Sequence, residues 1–246
     1  MMTLNPDRVE WRAECASTNT LLREQAEAGA PSGKVLVADR QTAGRGRCGR
    51  AWLSSPGESL TFSVLFRGKP VETLSGLSLA VGLALLQALE KLGARALSLK
   101  WPNDLLCRKN GKDAKLAGVL IECAGDAVII GIGLNLKSFD LPEQATAGLS
   151  DCLDTPASPP ALLAAIVREL DFMWADFVVR GFAPLRDAWQ ARHAGQGKSV
   201  RLVENGRVLA EGRYLGVDDN GALRLAAADG EQIFWAGDLS LRAGDA

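Results

Sequence analysis

Residues Gly44 to Trp52 read Gly-Arg-Gly-Arg-Cys-Gly-Arg-Ala-Trp, shortly after the β-like run Lys34 to Asp39, "KVLVAD". Gly44, Gly46 and Gly49 have the G-x-G-x-x-G spacing of a dinucleotide-binding turn, and that reading would commit the chain to a parallel doubly wound sheet. It fails on context. Such a turn needs a helix to start inside the glycine run and an acidic residue about 20 positions on. Here "RAWLSSPGESLTF" supplies a turn and then a strand, and the residue at that distance is Lys69. No Gly-Lys-Ser/Thr follows either, which excludes a P-loop. What remains is a loop in which glycine lets the backbone approach a ligand while Arg45, Arg47 and Arg50 surround it with guanidinium donors. That chemistry suits an anion, phosphate or carboxylate, and three clustered cations should repel one another until it arrives. A solvated surface loop is the alternative, and it predicts no companion motifs.

Around this loop the chain alternates helices and strands. "STNTLLREQAEAG" opens on capping side chains and stops at Gly29. "SLTFSVLF" has the period-two pattern of a half-buried strand. In "ETLSGLSLAVGLALLQALEKLG", Leu74, Leu77, Val81, Leu85 and Leu89 predict a long buried helix with Thr73 as its cap and Gly93 past its end. "ALSLKW" reads as a strand, and "KLAGVLIECA" and "DAVIIGIGLNL" read as a hairpin turning at Gly125-Asp126. After the linker "DTPASPPA", whose second proline suits a first helical position, comes the helix "ALLAAIVRELDFMWADFVV", then a last one containing "LRDAWQARHA". From Ser199 the texture changes to short strands punctuated by Asn205-Gly206, Asn220-Gly221 and Asp229-Gly230, the pattern of a small all-β unit. About fifty residues make a marginal core, so this tail should pack on the larger part.

Composition narrows the partners. The 246 residues carry 29 acidic and 28 basic side chains, so no global field attracts nucleic acid and any cationic site is local. Five cysteines without a C-x-x-C pair fit a reducing, cytoplasmic setting. The richest apolar stretch, "LAVGLALL", is far shorter than the roughly 20 residues that cross a bilayer. The single histidine, His193, has no second ligand nearby and reads as a surface or helix-end residue rather than a metal ligand. Apart from Trp52 and Trp101, the six tryptophans read as packing residues.

The companion motifs exist. Lys100 to Leu106, "KWPNDLL", is a strand-end turn that presents an amide and a carboxylate; its bland reading is Asp104 capping its own backbone. Lys115 opens "KLAGVLIE", where a lysine is ordinarily a solvated strand end, and Asn135 ends "GIGLN", where an asparagine is ordinarily a turn former. Each is weak alone. The ordered set "STN", "QTAGRGRCGRAW", "KWPNDLL", "KLAGVLIE" and "GIGLN" closely resembles biotin–protein ligase over nearly the whole chain, and the β-rich tail, with "GALRL" and "DLSLR", is similar to that family's SH3-like C-terminal domain. Cys48 departs from the pattern, since the bacterial loop often has arginine there.

The resemblance implies an α+β fold with a catalytic domain over 1–195, like class II aminoacyl-tRNA synthetases with a mixed sheet and flanking helices, and an SH3-like barrel over 196–246. It implies the monofunctional type without the N-terminal DNA-binding domain of some members. The implied reaction has two halves: biotin's carboxylate attacks the α-phosphate of ATP, releasing pyrophosphate, and a lysine of a biotin carboxyl carrier protein domain, of acetyl-CoA carboxylase or a related carboxylase, then takes biotin from biotinyl-AMP. Mg²⁺ is the implied cofactor, held mainly by nucleotide phosphates, with no protein metal site. Neither nucleic acid nor membrane is an implied partner, and a homodimer is compatible.

Carried over position by position, Ser17, Thr18, Asn19, Gln41, Gly44, Arg45, Arg47, Lys115 and Gly118 fall where the family binds biotin. Arg47, Arg50, Trp52, Asn103, Lys115, Asn135 and Arg242 fall on its nucleotide side. Arg47, Lys115, Asp104 and Lys100 are the implied catalytic set, with Arg47 retaining the adenylate and Asp104 orienting the acceptor amine. "GVLIE" and "GIGL" are expected to wall the apolar part of the pocket. Two alternatives stay open: a lipoate or octanoate ligase, whose glycine run after paired arginines is missing here, and a non-catalytic sensor of biotinyl-AMP.

Overall fold

The structure, a computed structural model, describes all residues except 1–5, 69–72, 140, 142–143, 205–206, 236–239 and 244–246. A seven-stranded mixed sheet is built from β1 (Val9–Cys15), β2 (Val35–Gln41), β3 (Ser59–Arg67), β4 (Leu97–Lys100), β5 (Asp104–Lys109), β6 (Lys112–Ala124) and β7 (Ala127–Asn135), in the order β1-β2-β3-β7-β6-β5-β4. β1 and β2 are parallel and every other pair is antiparallel.

One face carries α1 (Thr18–Glu27), capped by Ser17 as expected, with Leu22 and Ala26 on Leu36, Leu65 and Ile129. The opposite face carries α2 (Leu77–Lys91) and α3 (Pro159–Arg180), which bury Phe62, Val64, Ile130 and Ile132; Phe66 stacks on Trp174 at 4.8 Å. α3 begins at the linker's second proline, behind the Ser158 cap. α4 is the short Arg186–Gln190.

Two expectations need correction. The strand read as half-buried is buried on both faces, because its alternate small polar residues meet protein rather than water: Thr61 Oγ1 donates to Ala38 O at 2.7 Å and Ser63 meets α1. α2 starts at Leu77, not after Thr73, since the chain first passes through a left-handed Gly76 (φ 77°) whose missing Cβ makes room for Phe182.

The tail forms a five-stranded antiparallel sheet from β8 (Ser199–Glu204), β9 (Arg207–Val217), β10 (Leu223–Ala227), β11 (Gly230–Phe234) and β12 (Ser240–Ala243), ordered β11-β10-β9-β8-β12. The Asn205-Gly206 turn lies outside the described residues, although the strands on either side of it pair. At the Asn220-Gly221 turn, Asp218 Oδ1 accepts from the N–H groups of Asn220 and Ala222. The tail packs on the larger part: Trp101 Nε1 donates to Gly221 O at 3.1 Å, and Val217 N to Gln190 Oε1 at 3.2 Å.

His193 stands at this junction, and the surface assignment is overturned: it is 5% exposed and stacks on Tyr214 with ring centroids 4.2 Å apart. The sequence around it is polar, but Tyr214 of the tail, Trp189 (ring centroids 5.0 Å apart) and the bridge to Leu99 enclose it. Both ring nitrogens face backbone N–H donors, Gly195 at 3.0 Å and Trp101 at 3.4 Å. Burial, with smaller contributions from the charges of Lys100 and Lys198, lowers its pKa to about 3.

The folded pKa lies below the unfolded value, so the unfolded chain binds the extra proton, and stability is lost as pH falls below about 6.5. Between pH 6.5 and 5 the loss should be about 2 kcal/mol from this residue. Chemical denaturation across that range checks it, and His193→Phe, which keeps the stack without a titrating ring, should flatten the slope. Of the tryptophans read as packing residues, Trp174 and Trp189 are buried, whereas Trp11 (40% exposed) and Trp235 (56%) are not. Trp11 sits on edge strand β1, where its Nε1 donates to Asp39 at 2.6 Å.

Candidate active site

Over the sheet, between α1, the glycine-arginine loop and the Trp101–Asn103 turn, lies a cavity of about 340 Å³. Its floor is made by Gly118 to Leu120 of β6 and Gly131 to Gly133 of β7, as expected of "GVLIE" and "GIGL". The glycines are there because side chains lie flat on them. A Cβ on Gly133 would stand 2.2 Å from the Trp52 indole, and one on Gly131 would stand 2.2 Å from Asn19 Oδ1. Glycine in a strand interior signals close approach, so this much was readable in advance.

The polar end is supplied by the start of α1. Gln41 Oε1 accepts from Thr18 N at 2.7 Å and Thr18 Oγ1 at 3.1 Å, while Ser63 Oγ lies 2.7 Å from Thr18 Oγ1 and 2.6 Å from Asn19 Oδ1. Ser17, Thr18 and Asn19 are each under 5% exposed. A short apolar-free cluster this deep is tolerated because its members satisfy one another.

The loop closes on itself: Gly46 N donates to Arg50 O at 2.7 Å, Trp52 N to Gly44 O at 2.9 Å, and Arg45 bridges Ala51. Cys48 and Gly49 turn it with φ of 57° and 70°. The mutual repulsion expected of its arginines is relieved locally. Arg45 Nη2 meets Glu122 Oε2 at 2.9 Å and Thr20 Oγ1 at 3.0 Å, and Arg47 Nη1 donates to Asn103 Oδ1 at 3.2 Å. Arg50 lines the cavity from the exposed side.

Lys115 reaches the cavity through a β-bulge. Leu105 opposes Ala117 but Leu106 opposes Lys115, leaving Leu116 unpaired, and such a bulge re-aims the neighbouring side chain. Lys115 Nζ then sits 2.7 Å from Asp104 Oδ1 and 5.8 Å from the Trp52 ring centroid. It is therefore not a solvated strand end, and Asp104 is an ion-pair partner rather than a turn cap. The Trp101–Pro102 peptide is cis, and Asn103 is clamped to β6 through Val119 O at 2.8 Å. Asn135 is 1% exposed and donates to Lys115 O at 3.2 Å, so it is no turn former. In the cavity wall, the buried Trp52 Nε1 and Asn135 Oδ1 have no hydrogen-bond partner among the described residues, which marks positions a polar ligand would satisfy.

Three predicted residues are not among those lining the cavity. Gly44 lies behind it, where a Cβ would strike Trp52 O at 2.4 Å, so it serves the loop's closure. Lys100 ends β4 on the His193 side. Arg242 occupies a β12 position opposite Arg201, and its side chain lies outside the described set. Conversely, Phe139, Leu141, Gln144 and Thr146, from the segment after β7, line the cavity and carried no sequence signal. Thr146 joins them to the site by bridging Lys115. Among the described residues no group of three or more His, Cys, Asp or Glu could hold a metal ion, and Asp104, the one carboxylate lining the cavity, is already paired.

The model of the Biotin/lipoate A/B protein ligase family matches residues 12–135, and that of the Biotin protein ligase C terminal domain matches residues 196–242. The biotin--[acetyl-CoA-carboxylase] ligase of Mycobacterium tuberculosis is 35% identical over 237 residues, covering 92% of this chain and 86% of its own. The bifunctional ligase/repressor BirA of Bacillus subtilis is 32% identical over 238 residues, covering 92% and 71%. The biotin protein ligase from Aquifex aeolicus in complex with biotin and ATP superposes with a TM-score of 0.84 at 31% identity, covering 96% of this chain and 99% of that one. The chain belongs to the biotin/lipoate A/B protein ligase family.

Proposed function

We propose that this protein is an ATP-dependent biotin–protein ligase that makes biotinyl-AMP, releases pyrophosphate, and passes biotin to a lysine of a biotin carboxyl carrier protein domain. The observation that carries the reading is one chamber with a neutral hydrogen-bonding end at Thr18, Asn19 and Gln41 and a cationic end at Lys115 and Arg47. That polarity fits a molecule with a polar uncharged head and a carboxylate tail. The match of the tail to the biotin ligase C-terminal model favours biotin over lipoate.

In the first half-reaction two anions must meet. Lys115, freed from Asp104, would bridge the biotin carboxylate and the α-phosphate, while Arg47, Arg50 and Arg45 offset the remaining charge. Trp52 Nε1 and Asn135 Oδ1 would gain partners on the nucleotide side. In the second, the acceptor lysine arrives protonated, with an ordinary pKa of about 10.4. Asp104, released as Lys115 turns to the phosphate, would hold that ammonium and assist removal of its proton. Gly44 and Lys100 would act through the loop and the turn they belong to, and Arg242 from the tail on the nucleotide. Residues 1–195 would form the catalytic domain and 196–246 the SH3-like one. Mg²⁺ would accompany ATP, held mainly by the nucleotide phosphates.

Pyrophosphate release with biotin against lipoate, with the adenylate identified by mass, tests the reading. Release that depends on biotin supports it; release with lipoate alone, or adenylate bound but never formed, supports the alternatives.

A further inference from the structure

Ser63 of β3 stands behind the cavity rather than on its wall and is fully buried, yet its hydroxyl touches two residues of the neutral end. Gly131, its partner across the β3–β7 pair, leaves the space in which Asn19 lies. Ser63 Oγ is 2.6 Å from Asn19 Oδ1 and 2.7 Å from Thr18 Oγ1, and it has one proton to give. Groups without a choice decide where that proton goes. Asn19 Nδ2 donates to Glu122 Oε2 at 2.8 Å, so Oδ1 is the acceptor end of the amide and takes the Ser63 proton. Toward Thr18, Ser63 is then only an acceptor. Gln41 Oε1, fixed as an acceptor by Thr18 N at 2.7 Å, lies 3.1 Å from Thr18 Oγ1. The single hydroxyl proton of Thr18 therefore meets two acceptors inside the protein. The contact with Ser63 takes it, since two buried oxygens 2.7 Å apart need a proton between them. What Thr18 Oγ1 keeps for the chamber is its lone pairs.

We propose that Ser63 is a positioning residue that sets specificity: by drawing the Thr18 proton away from the chamber it makes Thr18 an obligate acceptor, so the neutral end selects a head group that presents an N–H there. The inference rests on the reading that the chamber takes biotin, whose cyclic urea has two such donors. A head with a ring oxygen in that place would set lone pair against lone pair in a site that water does not reach, and such a mismatch is penalised more heavily than a lost apolar contact. Without the Ser63 hydroxyl, Thr18 is free to rotate and donate, and the neutral end accepts either kind of head.

The test is calorimetric titration of the full chain, without ATP, with biotin and with each of the two cyclic carbamates in which one ureido N–H is replaced by oxygen. The wild type should prefer biotin over at least one of them by about 10²-fold. In Ser63→Ala that preference should fall by about tenfold, while biotin itself binds more weakly. A merely structural loss would weaken every ligand alike and leave the ratio where it was. Thr18→Val, which removes the lone pairs, should lower the preference too, and Ser63→Ala should add nothing to the ratio in that background, since the two residues act through one contact. A wild type that binds biotin and both carbamates alike, or an unchanged ratio in Ser63→Ala, would overturn the proposal. If Ser63→Ala does not fold, Ser63→Cys, whose thiol is a weak donor and a weak acceptor, should shift the ratio in the same direction, and an unchanged ratio there would overturn it equally. Failure of the wild type to bind biotin at all would instead strike at the proposed function.

Discussion

Lys115→Met is expected to lower biotin-dependent pyrophosphate release by about 10²- to 10³-fold, the usual loss when one donor to a developing anion is removed. The expectation follows from where the bulge at Leu116 puts the ammonium. It is mostly buried (19% exposed), over the glycine floor, 2.7 Å from the carboxylate lining the cavity, where water screens it poorly. Of the other described cations lining the cavity, Arg47 is tied to Asn103, Arg45 to Glu122, and Arg50 stands on the exposed side. Methionine keeps the stem and its contact with Trp52, so the fold should survive, with a cost of about 1–3 kcal/mol for leaving Asp104 without its ion-pair partner. Pre-formed biotinyl-AMP should still be transferred, because its single phosphate charge is met by a neutral amine, whereas the first step brings a carboxylate against the triphosphate. A mutant defective only in transfer would contradict the role given to Lys115.

Asp104→Asn separates the halves in the opposite sense. The amide keeps the shape and can still accept from Lys115, so adenylate formation should fall less than about tenfold. Transfer to the acceptor lysine, which needs a negative charge beside an ammonium, should fall by about 10² or more. Single-turnover assays of each half measure the two losses. Equal losses would mean that Asp104 only holds Lys115.

Much of this chamber was legible because its parts are local. Ser17 capping α1, the loop that glycine and arginine build together, the turn at Pro102 and the strand-end Asn135 are each set by a few neighbouring residues. What was hidden depends on register and on distant segments. Nothing in "KLAGVLIE" announces that Leu116 bulges, though that bulge aims Lys115. Glu122 reads as an ordinary strand-end charge until α1 and the loop are both placed against it. His193 lies in a polar stretch and is buried with help from Tyr214, far along the chain, whose ring stacks on it. The polar face of β3 reads as solvent-facing until α1 is set over Ser63. Periodicity reports which side of an element is apolar; it does not report whether the other side meets water or a second layer.

The central claim is that one closed cationic chamber forms a reactive anhydride and keeps it until an amine collects it. Rapid filtration of the full chain after mixing with biotin and ATP, followed by addition of a biotin carboxyl carrier domain, tests this directly. The account predicts biotinyl-AMP retained with the protein at about one equivalent, then lost in step with biotin appearing on a single carrier lysine. Adenylate found in the filtrate from the outset, or a retained adenylate that the carrier never discharges, would contradict it.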